Sequence, residues 1–433
     1  MQLSGASAVV VGLARSGVAA AAFLAGRGAH VTASDVKPRE ALTPEALALE
    51  SQGVRLETGG HRLETLLAAS LVVVSPGVPW DLPELTQARD RGVEVIAELE
   101  LACRHLMGEV VAVTGTKGKS TTTAAVGVML RAAGRDVRVA GNIGRPAILC
   151  VEGSDARTVF ALEVSSFQLE GVHSLHPRVA IFLNLSDDHL DRHGSFEAYA
   201  AAKARVFLNQ TADDWAVVNA DDRRVLDLAR QGRAKLLRFG NAARAALRLP
   251  GPHLADDLLA AAAAARLMGA PLDAVQRAVE GFEGAEHVLE FVAEIDGVRY
   301  FDDSKATNVA AACKSLEAFD RPVIAIMGGR FKGGDLARLA QVASGRAKLV
   351  LAIGEAQALL VEALSPVVTV TACDSLASAV ARAREAARPG DVALLAPACA
   401  SFDMFEDYAQ RGQAFKHEVR RLAERRIPAA GER

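Results

Sequence analysis

The most specific chemical signal in the sequence is a glycine-rich loop that carries lysine and hydroxyl side chains. The loop consists of Gly115, Thr116, Lys117, Gly118, Lys119, Ser120 and Thr121. An apolar segment precedes it and an alanine-rich segment follows it, which predicts a strand, a turn and a helix. In such a turn, backbone N–H groups surround phosphates, Lys119 reaches the β and γ groups, and Ser120 holds Mg²⁺. The sequence therefore predicts a nucleoside triphosphate site.

Acidic side chains and a histidine follow two apolar segments that we expect to be buried strands. They are Glu163, at the end of the first segment, and Asp187, Asp188, His189 and Asp191, after the second. Because sites in open α/β sheets lie at the carboxyl ends of strands, we expect Glu163 and His189 to join Ser120 and the phosphates around a metal. One or two Mg²⁺ ions fit this mixture of ligands. Taken alone, His189 also fits a helix cap or a loop residue whose hydrogen bonds are satisfied.

A second glycine turn, Gly12 to Gly17, follows the first apolar segment, and Asp35 ends the next one. This arrangement is similar to the dinucleotide-binding fingerprint, in which glycines approach a pyrophosphate and an acid binds a ribose. Ala14, however, stands where the fingerprint has its second glycine. By itself, the turn is compatible with a nicotinamide-dependent dehydrogenase or with an ordinary tight turn of an α/β domain.

Three α/β units are expected to position these residues, because apolar segments typical of parallel strands alternate with helical ones. We expect the strands in SAVVVG, AHVTASD, LVVVS and VEVIAELELA, then in EVVAVTG, RTVFALEVSS, RVAIFLNLS and DWAVVNAD, and finally in GVRYFDDS, RPVIAIMGG, AKLVLAIGE, VVTVTA and VALLAPACAS. The predicted domains are residues 1–97, 98–284 and 285–433. The length of 433 residues agrees with about three domains of ordinary size.

Composition and charge argue against several classes of partner. The formal net charge is -3 and charged residues make up 23%, which offers no field of one sign to nucleic acid or an anionic membrane. No apolar run reaches the ~20 residues of a membrane-spanning helix. The five cysteines are scattered and form no C-x-x-C pair, which argues against a disulfide framework or a zinc site. We expect a cytoplasmic protein that acts on small molecules, without nucleic acid and without membrane insertion.

Taken together, the motifs resemble those of the Mur ligase superfamily, and specifically its MurD type. The resemblance is carried by GTKGKST, GNIG, LEVSSFQL, LNLSDDHLDRH, AAAKARVF, FDDSKATN, MGGRFKGGD and PACASFDMFEDYAQRG, which follow the family's order over almost the whole chain. The phosphate loop is common to the superfamily, whereas DSKATN and PACASFD are typical of the MurD type. The resemblance implies an N-terminal Rossmann-like domain, a central P-loop ATPase-like domain with a parallel sheet, and a C-terminal Rossmann-like α/β domain.

The activity that the resemblance implies is the ATP-dependent ligation of D-glutamate to UDP-N-acetylmuramoyl-L-alanine in peptidoglycan precursor synthesis. It proceeds through an acyl phosphate and releases ADP and phosphate. The implied cofactors are ATP and Mg²⁺, and the implied partners are these two small substrates, bound by a monomer. The alternative is a homologue that binds the UDP-sugar without turnover.

The resemblance also implies roles for residues beyond the phosphate loop. Positions similar to those that bind the UDP end are Arg15, Ser16, Asp35, Lys37, Ser75 and Gly77. Positions similar to contacts of the muramoyl end are Asn142 and His189, and those similar to nucleotide, substrate and D-glutamate contacts in the third domain are Asp303, Lys305, Thr307, Lys332, Ser401 and Tyr408. The catalytic roles fall to Lys119, Glu163, His189 and Lys203. Lys203 occupies the position of a carbamylated lysine, whose anionic oxygen is a better neighbour of Mg²⁺ than an ammonium group.

The chain departs from the family pattern at the nucleotide site. The segment from His253 to Asp257 lacks two family asparagines, so that Asp257 stands at an ATP-contacting position, and Val288 follows His287 where the family has arginine. We therefore expect weaker nucleotide contacts, but the same fold. The glycine turn at Gly12 is reassigned by the resemblance to the UDP end of the substrate, whereas the dehydrogenase alternative predicts nicotinamide binding with no need for Lys119.

Overall fold

The computed structural model describes residues 3–240, 255–282 and 284–424, and the chain divides into two compact units, Met1–Phe282 and Glu283–Arg433. Of the three sheets that the described residues form, two lie in the first unit and one in the second. Each predicted α/β segment thus contains one sheet. The boundaries at residues 97 and 284 remain predictions. The first two sheets share one apolar core, to which Val10 and Phe160 both contribute.

The first sheet is parallel and contains the βαβ start that the sequence predicts. Its strands are β1 (Ser7–Val11), β2 (His30–Asp35), β3 (Arg55–Thr58), β4 (Leu71–Val74) and β5 (Glu94–Ala97), in the order β3-β2-β1-β4-β5. Its helices are α1 (Arg15–Gly26), α2 (Pro44–Ala48), α3 (Leu63–Leu67), α4 (Pro83–Asp90) and α5 (Glu98–Cys103), with 3-10 turns at Arg39–Ala41 and Leu49–Gln52. The strand predicted over VEVIAELELA is wrong beyond Ala97, where α5 begins. Acidic side chains in the first turn of α5 favour a helix there.

The central sheet is also parallel, and the phosphate loop lies between its strand β6 and the helix α6. Its strands are β6 (Glu109–Thr114), β7 (Val137–Gly141), β8 (Val159–Glu163), β9 (Val179–Phe182), β10 (Trp215–Asn219) and β11 (Lys235–Phe239), in the order β11-β10-β9-β6-β8-β7. Its helices are α6 (Lys119–Ala132), α7 (Ser166–Glu170), α8 (Leu190–His193), α9 (Phe196–Ala204), α10 (Arg223–Ala229), α11 (Ala255–Leu267) and α12 (Leu272–Glu280), with 3-10 turns at Ala147–Cys150 and Arg205–Phe207.

The third sheet is parallel except for one edge strand. Its strands are β12 (Glu290–Ile295), β13 (Val298–Asp302), β14 (Val323–Gly328), β15 (Ala347–Ile353), β16 (Val370–Ala372) and β17 (Val392–Leu395), in the order β12-β13-β17-β14-β15-β16. Its helices are α13 (Val309–Glu317), α14 (Leu336–Arg346), α15 (Gln357–Leu364), α16 (Leu376–Ala386) and α17 (Tyr408–Glu424). Strand β12 is antiparallel to β13 and forms a hairpin with it.

The strands that the sequence analysis did not predict, β3, β7, β11 and β12, all lie at sheet edges. Each includes residues that are exposed or half-buried, whereas the central strands β4, β8, β9 and β17 are buried throughout. Edge strands have one open side, so their sequences lack the continuous apolar character on which the prediction relied. No helix among the described residues has the length and apolar character needed to cross a membrane.

Two glutamates in the first turn of α5 are buried with opposite consequences. Burial raises the pKa of Glu98 from 4.5 to about 7. The backbone amide of Ile148 acts in the opposite direction and lowers this pKa, but both carboxylate oxygens remain without a hydrogen-bond partner among the described residues. Burial also acts on Glu100, but hydrogen bonds from the amides of Ser174 and His173 and from Arg104 outweigh it and lower the pKa. One carboxyl thus favours its protonated form and the other its ionised form.

We expect Glu98→Gln to stabilise the protein increasingly as pH rises. Ionisation of Glu98 costs the folded state free energy that develops between pH 4.5 and about 7, up to about 3 kcal/mol, and glutamine removes this cost. Glu100→Gln is the contrasting variant, because the contribution of Glu100 is present above its unfolded pKa and is lost as pH falls through its folded pKa. It should lower the free energy of unfolding at neutral pH. Urea unfolding near pH 5 and near pH 8 measures both. A Glu98→Gln effect that is the same at the two pH values would contradict the assignment.

Candidate functional site

The phosphate loop has the backbone geometry of an anion-binding turn. Gly118 adopts a left-handed conformation (φ 81°) directly before Lys119, the first residue of α6. Ser120 and Thr121, in the first turn of that helix, are buried. The N-terminal N–H groups of a helix in this position attract negative charge.

A single backbone oxygen in this loop accepts hydrogen bonds from two lysines. The Lys119 ammonium donates to the carbonyl oxygens of Gly115 and Thr116, at 3.0 Å each. Lys203, from α9, donates to the same Gly115 oxygen at 2.8 Å and is only 2% exposed. Burial, and then the charge of Lys119, hold the pKa of the Lys203 amine well below its usual range. Two positive groups therefore compete for one partner inside the protein.

Ser120 and Glu163, predicted to share a site, are in direct contact. The Ser120 hydroxyl donates to one carboxylate oxygen of Glu163 at 2.6 Å. The side-chain amide of Asn142 donates to the other oxygen at 2.9 Å, and the Asn142 backbone N–H donates to the Glu163 carbonyl, also at 2.9 Å. Glu163 has no exposed surface. A hydroxyl and a carboxylate at this distance form a set of oxygen donors of the kind that Mg²⁺ prefers.

His189 lies close to this region, on the segment that precedes α8. It adopts a left-handed backbone conformation (φ 52°), and its half-exposed ring stands 3.6 Å from Asp188 and 4.9 Å, between ring centroids, from Phe167. The negative charges of Asp188 and Glu163 both raise the pKa of Lys203 and so favour its charged form, against the larger effect of burial. The role of His189 as a metal ligand remains a prediction.

Two side chains that the sequence analysis missed hold the phosphate loop in place. Asn184, just after β9, accepts from the Lys117 amide at 2.9 Å and donates to the Lys117 carbonyl at 3.1 Å. Tyr199 places its hydroxyl 3.1 Å from Thr116 Oγ1, and its ring lies 4.8 Å from the Lys203 ammonium. Asn184 could have been found from its place at the carboxyl end of a strand, and Tyr199 from its place one helical turn before Lys203.

Asp257 also faces the loop. It lies in the first turn of α11, and its carboxylate occupies the space in which a side chain at Gly118 would stand. His253 and Leu254, the other departures in this segment, lie outside the described residues. The structure thus brings Asp257 to the phosphate loop, and its contact with a nucleotide remains a prediction.

In the first sheet, the predicted UDP-binding residues surround the glycine turn after β1. Asp35 accepts from the amides of Leu13 at 2.6 Å and Lys37 at 2.9 Å, and the Ser75 hydroxyl donates to the Gly12 carbonyl at 2.7 Å. These contacts fix the turn. The remaining predicted residues lie nearer the surface, with Arg15, Lys37 and Gly77 exposed and Ser16 half-buried. Arg15 also donates to the Gly144 carbonyl in the GNIG segment, at 2.8 Å.

In the second unit, the predicted residues follow the carboxyl ends of three neighbouring strands. Asp303, Lys305 and Thr307 follow β13, Lys332 follows β14, and Ser401 follows β17, whose strands are parallel to one another. Parallel strands bring these segments to one edge of the sheet. Burial raises the pKa of Asp303 to about 7, and the Ser315 hydroxyl donates to its carboxylate. Lys332 is exposed, Ser401 is buried, and the Lys305 ammonium lies 5.7 Å from the ring of Tyr408.

Arg411, which the sequence analysis also missed, ties these segments together. It is 1% exposed and donates to the carbonyl oxygens of Ser304, Gly328 and Cys399 at 3.0 to 3.3 Å, and to the Ser304 hydroxyl. Burial lowers the pKa of its guanidinium to about 10. One side chain of α17 therefore holds the segments after β13, β14 and β17.

A cluster in the same unit has the composition of a metal site, but an ammonium group already occupies its centre. Glu286, His287 and Glu290 could place their side-chain atoms around one ion. Lys416 donates to Glu286 at 2.9 Å and to Glu290 at 3.0 Å, and the His287 ring contacts Asp302 at 2.6 Å. The cluster therefore forms an ion-pair network.

Comparisons with known proteins agree with this geometry over nearly the whole chain. Residues 6–97 match the Mur ligase MurD-like N-terminal domain, residues 113–250 the Mur ligase middle domain, and residues 289–399 the Mur ligase glutamate ligase domain. The UDP-N-acetylmuramoylalanine–D-glutamate ligase of Acidobacterium capsulatum is 46% identical over 97% of both chains. The chain belongs to the Mur ligase family, in its MurD-like branch.

Other relatives of this Mur ligase support the same family assignment and fold. The protein of the same name from Geotalea daltonii is 42% identical over 98% of this chain and 99% of its own. Among solved structures, the UDP-N-acetylmuramate–alanine ligase of Thermotoga maritima covers 97% of this chain and 100% of its own, with a TM-score of 0.61 and 20% identity. That likeness supports the three-sheet α/β fold.

Proposed function

We propose that this Mur ligase adds D-glutamate to UDP-N-acetylmuramoyl-L-alanine at the expense of ATP, in cytoplasmic peptidoglycan precursor synthesis. The observation that carries the proposal is the near full-length similarity to ligases of this name, at 46% and 42% identity. The phosphate loop, with Ser120 and Glu163 in contact beside Lys119, supplies the chemistry that such a reaction needs. The reaction forms an acyl phosphate and releases ADP and phosphate.

In the first step, the muramoyl-alanine carboxylate attacks the γ-phosphate of ATP. Lys119 lies at the start of α6, where its ammonium can leave the Gly115 and Thr116 carbonyls and follow the transferring phosphoryl group. Charge that is oriented in advance stabilises such a group more strongly in the transition state than in the ground state. We therefore assign Lys119 the catalytic role in phosphoryl transfer.

The Ser120 and Glu163 oxygens fit Mg²⁺, and we propose that they hold it together with His189 and a modified Lys203. When bound, Mg²⁺ would neutralise charge on the phosphates. The buried Lys203 amine, beside a second ammonium, is poorly suited to such a site as it stands. Conversion to a carbamate replaces the positive group by an anionic oxygen ligand, in agreement with the resemblance.

In the second step, the amine of D-glutamate attacks the acyl carbonyl and phosphate leaves. A dicarboxylate needs cations and hydroxyl or N–H donors. We propose that Lys332 and Ser401 bind its carboxylates, with Lys305, Thr307 and Tyr408 as further substrate contacts and Asp303 as a nucleotide contact. The hydrogen bonds of Arg411 to backbone carbonyls support this assignment, because they hold the segments that carry these groups at one edge of a single sheet.

The proposed activity is tested by measuring phosphate release with ATP and Mg²⁺. We expect release only when UDP-N-acetylmuramoyl-L-alanine and D-glutamate are both present, and little when a chelator removes the metal. Lys119→Ala should lose about 10²-fold or more in kcat while the protein stays folded, because transition-state stabilisation is lost.

The matched control is Lys117→Ala, which removes a neighbouring lysine of the same loop. It should retain most of the activity. Phosphate release by the wild type that ignores D-glutamate would overturn the proposed function. Near-normal turnover in folded Lys119→Ala would remove the catalytic role of that residue.

For Lys203, we expect Lys203→Ala to be nearly inactive and to regain activity when formate or acetate is added, because a small carboxylate can refill the ligand position. Lys119→Ala should show no such recovery, which makes it the control. Mass spectrometry of the intact protein in bicarbonate buffer should detect the added carbamate. Full activity of Lys203→Ala without any acid would rule out the ligand role.

For Asp257, we expect Asp257→Asn to lower the ATP KM, because an ionised carboxylate next to Gly118 repels the triphosphate. A gain of 1.4 kcal/mol corresponds to about a tenfold lower KM. Adding Val288→Arg should lower it further by restoring the family's cation. Asp256→Asn, in the same helical turn, is the matched control. Equal ATP KM values for Asp257→Asn, Asp256→Asn and wild type would show that Asp257 does not act on the nucleotide.

A further inference from the structure

Arg192, from α8, contacts the first sheet's substrate-binding turn. Its guanidinium donates to the Val78 carbonyl at 2.7 Å and to the Pro76 carbonyl at 3.5 Å. These two carbonyls flank Gly77, which belongs to the proposed UDP-binding turn. The side chain of Arg192 is only 17% exposed, so these contacts are largely protected from water. The turn is therefore held from the central sheet as well as from its own.

A face of the same guanidinium lies against Phe167, a residue of α7 that also contacts His189. Arg192 stacks over the Phe167 ring at 4.3 Å, and the Phe167 ring also lies 4.9 Å from His189 and 5.3 Å from His193. Glu170 lies 3.6 Å from Arg192 and 3.3 Å from His193. A single side chain thus connects the UDP-binding turn with the proposed metal and muramoyl segment.

We infer that Arg192 is a positioning residue that fixes the UDP-binding turn relative to the His189 segment. The inference rests on the proposed function. A UDP-sugar substrate has to be held at its diphosphate end while its carboxylate meets the phosphoryl group at the other, so a small displacement of one end misplaces the other. In this role Arg192 does not need to touch a reacting atom. It acts through the carbonyls of Pro76 and Val78 and through the Phe167 ring.

The contacts require arginine rather than any cation. A planar guanidinium can stack on a ring and donate in its own plane to two carbonyls at once, whereas an ammonium group cannot do both. Lysine at this position keeps the charge and loses the geometry. Arg192→Lys and Arg192→Met should therefore behave alike, which separates positioning from simple electrostatic attraction of the UDP diphosphate.

The chain offers a matched control in Arg89. Arg89 donates to the Trp80 carbonyl at 2.8 Å and lies 4.9 Å over the Trp80 ring, two residues beyond Val78. Arg89 holds the same loop, but it belongs to α4, a helix that packs with the first sheet. Arg89→Met should therefore loosen the loop without changing its connection to the His189 segment.

The test measures the KM of all three substrates and kcat for the full chain. We expect Arg192→Met and Arg192→Lys to raise the KM for UDP-N-acetylmuramoyl-L-alanine by about tenfold, and to leave the KM values for ATP and D-glutamate within about twofold. Arg89→Met should lower the Tm and leave all three KM values near those of the wild type. An unchanged UDP-substrate KM in the Arg192 variants, or an equal rise in all three KM values, would overturn the inference.

A binding measurement tests the inference even if the proposed activity fails. The chain has two tryptophans, so Trp215→Phe leaves Trp80 as the single tryptophan fluorophore in the loop that Arg192 and Arg89 hold. In that background, UDP-N-acetylmuramoyl-L-alanine is titrated into the full chain. A Kd that rises about tenfold with Arg192→Met but not with Arg89→Met supports the inference. Equal Kd values overturn it, whatever the wild type does with ATP.

Discussion

Two lysines that share one carbonyl oxygen set the central constraint of this structure. Lys119 and Lys203 both donate to the Gly115 oxygen, and Lys203 is buried. Two ammonium groups so close together disfavour each other's charged forms, and burial adds to that cost. The carboxylates of Glu163 and Asp188 act in the opposite direction and favour the charged form of Lys203. The proposed carbamate at Lys203 and the proposed move of Lys119 to a phosphate would relieve this repulsion, and both fit a site for a polyanion.

The proposed substrate segments are held in place in a common way. Each proposed substrate segment follows the carboxyl end of a parallel strand, and a side chain from elsewhere fixes it through backbone atoms. Asn184 holds Lys117 in the phosphate loop, and Arg411 holds the segments after β13, β14 and β17. Groups proposed to bind ligand, such as the exposed Lys332, can then stay at the surface, because less entropy is lost on binding when their backbone is already ordered.

The sequence predicted the buried half of the fold well and its edges poorly. Strands such as β4 and β9 are apolar along their whole length, so they were recognised, whereas β12 is not. The sequence signal that could have revealed β12 is the Asp296-Gly297 pair before β13, whose φ values of 57° and 76° suit a tight hairpin turn. In the site, the contact of Ser120 with Glu163 followed from the strand-end rule. Arg411 did not, because a residue that binds carbonyl oxygens through a distant helix leaves no local pattern.

Arginines that bind carbonyls rather than carboxylates have an electrostatic consequence for the substrate sites. A guanidinium paired with a carboxylate contributes little net charge, but one whose hydrogen bonds go to neutral oxygens keeps its positive potential. Among the described residues, the hydrogen bonds of Arg411 go to carbonyls and a hydroxyl, next to the segments proposed to bind D-glutamate. Such contacts order a loop and leave it attractive to anions. ATP, the UDP-linked substrate and D-glutamate are all anions.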